Sequence, residues 1–208
     1  MKSYKIIEKK LSVSLRTIEG FDLKIGAYKI CRGNEVEEHA VVYKGSIFNS
    51  NKPVLLRINS ACYTDDIFHC NRCDCTWQFL ESMRIIDQQG GLIIYHFAHE
   101  GRGVGFLNKL KTYDTMDKQQ KTTKEAFEHE GYDPDYRDFF ASVLILKDLG
   151  IGRVRLISNN PNKREFLEKH GINVAELVSI VNNHPSLQHY LKSKKEQFGH
   201  VIDLGEKQ

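Results

Sequence analysis

The sequence predicts an α+β (mixed α/β) protein: a mostly antiparallel N-terminal sheet, a cysteine-rich loop, and then an alternating layer of strands and helices. Residues 4–58 contain short segments rich in β-branched and large apolar residues, with glycines at the turns. From residue 76 onward, segments with helical apolar spacing alternate with short apolar runs, which is typical of parallel strand pairing. Because no repeat or linker interrupts the chain, we expect a single domain over residues 1–208.

The N-terminal strands are predicted from alternation and from turn residues. Gly20 and Gly33 mark turns between partly alternating segments. Runs such as EHAVVYKGSI and PVLLRI are too short and too β-branched for helices. The predicted strands cover residues 4–15, 22–31, 38–47 and 53–58.

The second half is predicted from helical spacing and from glycine stops. Residues 76–89 repeat apolar side chains at helical intervals until Gly90 and Gly91. We expect a glycine-rich turn over residues 99–106 and a mobile loop or lid with a short helical piece over residues 117–134. The remaining elements are strands at 92–97, 153–158 and 174–181, and helices at 107–116, 135–149, 162–170 and 186–198.

Composition narrows the class of protein. With 40% hydrophobic and 27% charged residues, the chain resembles an ordinary globular protein. Its net charge of +3 is too small for a general nucleic-acid binder, although a local basic pocket for a phosphorylated small molecule remains compatible. The polar N-terminus predicts no signal peptide, and no apolar run is long enough to predict a membrane span. We therefore expect a cytoplasmic location.

Four of the five cysteines, Cys62, Cys70, Cys73 and Cys75, lie within residues 57–78. Dense thiols without a secretory signal favour metal binding over disulfides, and zinc is the metal that thiolates most often hold in proteins. Three thiolates would leave one corner of a tetrahedron for water, as in catalytic sites, whereas four would close a structural site. The alternative is a set of reduced, buried thiols.

Three further motifs are compatible with a phosphorylated ligand. The run from Glu100 to Gly103 follows a strand and precedes a helix, so its backbone N–H groups and Arg102 can face an anion. The run from Asp135 to Asp138 is predicted at a helix start, where Asp135 can equally act as a cap. Residues 158–163 follow a strand, and strand ends are where α/β proteins bind ligands. Plain turns remain the alternative for the first and third motifs.

The order of these motifs resembles that of GTP cyclohydrolase II of riboflavin biosynthesis. The shared runs are Arg-x-x-Ser-x-Cys, Cys-Asp-Cys, Glu-Gly-Arg-Gly-x-Gly, Leu-Asn-Lys, Arg-Asp and Asn-Asn-Pro, and the match covers about residues 36–200, including His189-Tyr190-Leu191 and Gly199-His200. The resemblance implies a homodimeric enzyme that uses zinc and magnesium. It would open the imidazole ring of GTP and release formate and pyrophosphate.

The resemblance also assigns roles to residues. It makes Cys62, Cys73 and Cys75 the zinc ligands, with Cys70 as a bystander. It makes Arg137 a nucleophile toward the α-phosphate, with Asp135 as proton acceptor; a purely electrostatic role for Arg137 is the alternative, since guanidinium normally stays protonated. Tyr113 matches a tyrosine that aids ring opening. The nucleotide-binding positions are Arg57, Ile58, Asn59, Ser60, Ala61, Gln78, Glu100, Gly101, Arg102, Thr123, Ser158 and Lys163.

Several residues depart from the family pattern near these positions. Asn59 stands for a histidine, Ala61 for a glutamate and Asp65 for a glycine. His99 stands for a glutamine, and Phe127 for an asparagine. We therefore expect ring-opening hydrolysis with GTP or with another nucleotide or base, such as a pyrimidine, as substrate. A zinc-stabilised nucleotide-binding protein without catalysis is the remaining hypothesis.

Overall fold

One seven-stranded mixed sheet organises the computed structural model, which describes residues 4–182 together with 184, 191–192, 195–196 and 199. The strand order is β1-β2-β3-β5-β4-β6-β7. The strands are β1 Tyr4–Arg16, β2 Asp22–Arg32, β3 Glu35–Lys44, β4 Val54–Ser60, β5 Gly91–His96, β6 Arg153–Ile157 and β7 Asn173–Val178. The first three strands and β5 pair antiparallel, whereas β4 pairs parallel with β5 and β6, and β6 with β7. The predicted mixed α+β class is confirmed, and the two predicted layers share one sheet.

The helices follow the predicted order, with two differences. They are α1 Tyr63–Asp66, α2 Cys75–Gln89, α3 Phe106–Gln119, α4 Thr123–His129, α5 Phe140–Asp148 and α6 Pro161–Lys169, with a 3-10 segment at Phe97–Gly103. The sequence did not predict α1. The helix predicted from residue 135 begins only at Phe140, because the Asp138 carboxylate accepts the Phe140 N–H while Asp135 binds Arg137. The helix predicted at 186–198 falls largely outside the described residues.

The core lies on both faces of the sheet. Alternate residues of β5 enter opposite clusters: Leu92 and Ile94 pack toward α5 and α6, whereas Ile93 packs toward α2. The central parallel strands β4 and β5 are therefore buried on both sides, which explains the apolar runs in them. Among the described residues, no helix is both long and apolar enough to cross a membrane.

Gly91 permits the close contact between β4 and β5. Its φ is +143°, and a Cβ there would lie 2.5 Å from the Leu55 carbonyl oxygen. Any larger residue would push the two central strands apart.

The order of the parallel strands also locates the site. β4 pairs with β5 on one side and with β6 on the other. After β4 the chain first forms β5 on one side of it, and later crosses over to form β6 on the other side. Such reversals open a crevice at the carboxyl ends of the strands. Here β4 ends at Ser60, two residues before Cys62.

Candidate active site

A cavity of about 580 Å³ opens at the carboxyl ends of β4, β5 and β6. Among the described residues, its charged lining is almost entirely basic. The described basic lining residues are Arg57, Arg72, Arg102, Lys109, Lys121, Arg137, Lys163 and Lys192, against a single described acid, Glu196. A cavity of this size and charge suits a phosphorylated small molecule.

Three thiols meet in one wall of this cavity. One sulfur from each of Cys62, Cys73 and Cys75 lies within 4.8 Å of the others, and the Cys62 and Cys73 sulfurs are 3.6 Å apart. Zinc–sulfur bonds of about 2.3 Å in a tetrahedron place sulfurs about 3.8 Å apart, so the geometry fits zinc. Cys70 is not part of this group. A zinc ion held by these three thiolates would keep one coordination position open, as catalytic sites do.

Two aspartates hold the loop that carries the thiols. The Asp66 carboxylate accepts the Cys62 N–H at 2.9 Å and the Tyr95 hydroxyl at 2.5 Å. The Asp65 carboxylate, 7% exposed, accepts the Thr76 N–H at 2.8 Å in the first turn of α2. Asp65, where the family pattern has glycine, therefore satisfies one of the N–H groups that a helix start leaves without a partner.

The surroundings of Cys62 favour its thiolate. Hydrogen bonds from Cys73 and Cys75 lower the pKa of the Cys62 thiol, and the nearby Lys109 charge adds to this. Burial alone would lower the pKa of Lys109, but the negative charges of Cys62 and Glu100 raise it above its ordinary value. The electrostatic surroundings of the three thiols therefore favour cation binding.

Tyr113 and Arg72 lie beside the thiols. Burial raises the pKa of Tyr113 to about 12, and its hydroxyl lies 3.4 Å from the Thr64 hydroxyl. The Arg72 guanidinium stacks 4.8 Å from the Tyr113 ring and binds both oxygens of Asp117. Arg72 thus connects the thiol loop to α3.

Arg137 also lines the cavity, and Asp135 holds its guanidinium. The Asp135 carboxylate accepts from Nε of Arg137 at 2.8 Å and from Nη2 at 2.5 Å. Burial would raise the pKa of Asp135, but Arg137 lowers it below its ordinary value. These contacts direct Nη1 of Arg137 toward the Ser60 hydroxyl at 3.5 Å.

A buried polar group forms the floor of the cavity at the end of β4. Arg57 donates to Gln78 Oε1 at 2.8 Å and to Asn59 Oδ1 at 3.2 Å. Its Nη1 also donates to the carbonyl of Ile157 at 3.4 Å. These contacts orient the Arg57 guanidinium between β4, β6 and α2.

The glycine-rich turn brings Arg102 to the rim. Gly101, Arg102 and Gly103 all have positive φ, which for Arg102 is an uncommon conformation. Arg102 donates to the Pro134 carbonyl, and its guanidinium lies 5.8 Å from the Phe127 ring. Phe127 is only 3% exposed and lines the cavity.

A polar group at the start of α6 completes the lining. The Asn160 side chain caps α6, and its own N–H donates to the Ser158 hydroxyl at 3.1 Å. Lys163 donates to the Ile58 carbonyl at 2.8 Å. The Lys163 ammonium is thereby held beneath the cavity next to β4.

Most residues singled out from the sequence line this cavity, namely Arg57, Asn59, Ser60, Ala61, Cys62, Cys73, Cys75, Gln78, Gly101, Arg102, Tyr113, Thr123, Arg137, Ser158 and Lys163. Ile58, Glu100 and Asp135 do not line it, but each contacts a residue that does: Lys163, Lys109 and Arg137, respectively.

Arg72 and Lys109 also line the cavity, and neither has a role that the sequence predicts. His99 lines it too; from the sequence it is one of three histidines, with His96 and His129, that could act as a ligand or a base. The Leu-Asn-Lys motif contains Lys109, so a signal for that residue was present. His99 stood out as a departure from the family pattern.

The chain matches the family model described as GTP cyclohydrolase II over residues 8–179. Curated relatives include the riboflavin biosynthesis protein RibBA of Parabacteroides distasonis, 42% identical over 166 residues, which covers 79% of this chain and 40% of that protein. RibBA of Cytophaga hutchinsonii is 39% identical over 199 residues, covering 95% and 48%, and RibBA of Staphylococcus saprophyticus is 40% identical over 198 residues, covering 94% and 48%. The chain spans less than half the length of these relatives.

Among solved structures, RibBX of A. baumannii, a two-domain 3,4-dihydroxy-2-butanone 4-phosphate synthase, matches with a TM-score of 0.43 and 12% identity over 88% of this chain and 41% of that one. That likeness is too weak to bear on function. The family model covers most of the chain, and the RibBA proteins match at about 40% identity. The chain therefore belongs to the GTP cyclohydrolase II family.

Proposed function

We propose that this chain is a zinc-dependent cyclohydrolase that opens the imidazole ring of GTP, releasing formate and pyrophosphate and leaving a diaminopyrimidinone ribonucleotide. The observation that carries the proposal is the group of three thiols, Cys62, Cys73 and Cys75, in the wall of a basic cavity. Bound there, zinc supplies Lewis acidity and water activation. Family membership supports the reaction type.

Arg137 and Asp135 act on the phosphate end in this proposal. Two hydrogen bonds to the Asp135 carboxylate hold the guanidinium in place. Because guanidinium groups normally stay protonated, an electrostatic role at the α-phosphate is favoured over a nucleophilic one. Asp135 is ionised at neutral pH because its pKa is lowered. It can therefore accept a proton, as the family resemblance implies.

Tyr113 acts near the thiols. With a pKa raised to about 12, its hydroxyl keeps its proton at neutral pH. It can donate a hydrogen bond to a nitrogen or oxygen of the ring as that atom gains negative charge.

The remaining basic side chains bind the phosphates. Arg102, Lys163 and the Ser158 hydroxyl also line the cavity and would bind the phosphates, which magnesium would accompany. We include in the nucleotide site Arg57, Ile58, Asn59, Ser60, Ala61, Gln78, Glu100, Gly101, Thr123 and these three residues. We further propose a cytoplasmic homodimer and a single catalytic domain.

The lining also favours a second candidate, a different nucleotide ring. Ala61, His99 and Phe127 all line the cavity, where the family pattern has glutamate, glutamine and asparagine. Each change removes or replaces a polar group that could recognise a base. A purine or pyrimidine with other exocyclic groups is therefore the alternative substrate. The non-catalytic hypothesis required Cys70 to close the metal site, and Cys70 lies outside the thiol group.

The test is incubation of the zinc-loaded protein with GTP and magnesium. We expect stoichiometric formate, pyrophosphate and the ultraviolet absorbance of a diaminopyrimidinone. Cys73→Ser is the matched control and should release neither product. If GTP gives no formate at high enzyme concentration, GTP is not the substrate, and a screen of other nucleotides for absorbance change tests the second candidate.

A further inference from the structure

Lys109 extends from α3 into the space behind the three thiols. Its Nζ lies 3.2 Å from the Cys62 sulfur and 2.8 Å from Oε1 of Glu100. The Lys109 side chain is only 8% exposed, and that of Glu100 only 4%. One ammonium group therefore lies between a carboxylate and a sulfur that is a candidate metal ligand.

Glu100 fixes this ammonium and the backbone beside Cys62 together. Its other oxygen, Oε2, accepts the Tyr63 N–H at 2.6 Å. Tyr63 directly follows Cys62 in the chain. Because Glu100 does not line the cavity, its contacts are with the surroundings of the thiols.

The glycine-rich turn sets how closely α3 approaches. Gly101 has a φ of +58°, and a Cβ there would lie 3.0 Å from the Cβ of Lys109. A larger residue would displace the base of the Lys109 side chain. The turn, the carboxylate and the helix thus jointly hold Nζ within hydrogen-bonding distance of sulfur.

The Lys109 ammonium can balance the charge of a metal bound by the three thiolates. Three thiolates and one divalent cation sum to a net charge of −1 in a largely buried wall, and uncompensated buried charge is costly. A charged N–H donor also withdraws electron density from the sulfur that it contacts. The metal then receives less electron density from that sulfur and is more electrophilic.

We propose that Lys109, held by Glu100, is a positioning residue that donates a hydrogen bond to the Cys62 thiolate and sets the electronic character of the bound metal. This inference rests on the metal site of the proposed function. A purely structural Lys109–Glu100 ion pair would stabilise the fold equally well but would leave the metal–sulfur bonds unchanged. The two roles are therefore separable by spectroscopy.

Cobalt(II) in place of zinc reports sulfur donor strength through its thiolate-to-metal charge-transfer band. Losing the N–H donor raises the energy of the sulfur lone pairs, so Lys109→Leu should move this band to longer wavelength. Lys109→Arg keeps a charged donor and should restore a band close to that of the wild type. Lys111→Leu, an exposed lysine on the same helix, is the matched control and should leave the band unchanged.

A double variant controls for misfolding caused by an unpaired buried charge. Lys109→Leu alone leaves the Glu100 carboxylate buried without its cation, whereas the Glu100→Gln/Lys109→Leu pair removes both charges. The double variant should show the same shift to longer wavelength. It should also bind zinc about tenfold more weakly in competition with a chromophoric chelator.

The outcomes separate the inference from the proposed function. A wild-type band in the double variant overturns the role of Lys109 while leaving the metal site intact. If the wild-type protein itself shows no thiolate-to-cobalt band, the metal site of the proposed function fails instead. No nucleotide turnover enters either result.

Discussion

The Ser60 hydroxyl donates a hydrogen bond to Nδ1 of His99 over 3.1 Å. The other ring nitrogen, Nε2, lies 3.0 Å from the Asp138 carbonyl oxygen, which can only accept, so Nε2 carries the proton. Burial, followed by the charges of Arg137 and Lys163, lowers the pKa of His99 to about 3, so the ring is neutral and Nδ1 accepts. The lone pairs of the Ser60 oxygen are left to face Nη1 of Arg137 at 3.5 Å. His99 thus orients Ser60, and Ser60 in turn contacts Arg137.

The first prediction concerns His99. In His99→Leu, the part-buried Asp138 carbonyl loses its donor and Ser60 its acceptor, so we expect the free energy of unfolding to fall by about 1–3 kcal/mol and turnover to fall as well. The side chain of His99→Gln can supply both an acceptor and a donor, so this variant should retain most of the stability and most of the turnover. Urea unfolding and steady-state kinetics measure the two effects. Equal losses in the two variants would contradict the assigned hydrogen bonds.

The second prediction concerns Arg137. Arg137→Ala should retain zinc, because the guanidinium makes no contact with the thiols, but turnover should fall by about a hundredfold or more as transition-state charge loses its partner. Arg137→Lys should recover little of the lost turnover, since an ammonium cannot bind Asp135 and the phosphate in the same fork geometry. Metal analysis and kinetics on the same samples provide the comparison. If Arg137→Ala also lost the metal, the assignment of separate roles to Arg137 and the three thiols would be wrong.

The third prediction separates the four clustered cysteines. Cys73→Ser should lose stoichiometric zinc and activity together, because Cys73 belongs to the group of three sulfurs. Cys70→Ser should keep both, because Cys70 lies outside that group. Zinc content after gel filtration, measured by elemental analysis, tests this. Loss of zinc from Cys70→Ser would instead indicate a closed four-thiolate site.

The fourth prediction is a pH dependence of stability. His39 is fully buried, and neither ring nitrogen has a hydrogen-bond partner among the described residues. The neighbouring groups are the His96 ring, at 4.7 Å between centroids, and Glu37, whose carboxylate lies 3.6 Å from Nε2. Burial lowers the pKa of His39 from 6.5 to about 4.

As the pH falls, the unfolded chain therefore binds this proton at a higher pH than the folded chain does. The free energy of unfolding consequently decreases as the pH falls from about 6.5 toward 4. Between pH 7 and pH 5, we expect His39 to account for about 2 kcal/mol of that loss. His39→Leu should reduce the pH dependence by this amount, and the more exposed His129→Gln should not. Urea unfolding at both pH values, with chelator present so that metal loss does not contribute, measures the difference. An unchanged slope in His39→Leu would refute the prediction.

Much of the fold was predictable because its signals are local. Apolar periodicity and glycine stops depend on neighbouring residues, so β1, α2 and β5 begin and end within a few residues of their predicted bounds. The cysteine cluster and its preference for a soft metal follow from residue type and spacing alone. The helix predicted from residue 135 failed because the Asp135 side chain binds Arg137, a choice that the apolar pattern does not encode.

The sequence by itself determined the order of the elements, the family and the presence of a thiol-rich loop. Residue spacing left open whether three or four thiols meet, and the family resemblance named Cys62, Cys73 and Cys75. The tertiary structure brings these three sulfurs together, because their distances depend on how α1 and the start of α2 turn toward each other. It also brought Ser60 to His99 and Lys109 to Cys62, pairs that lie 39 and 47 residues apart. Hydrogen bonds and charge contacts act over a few ångströms in space. Residues far apart in the sequence come within that range only when the sheet has formed, so the sequence pattern does not predict these contacts.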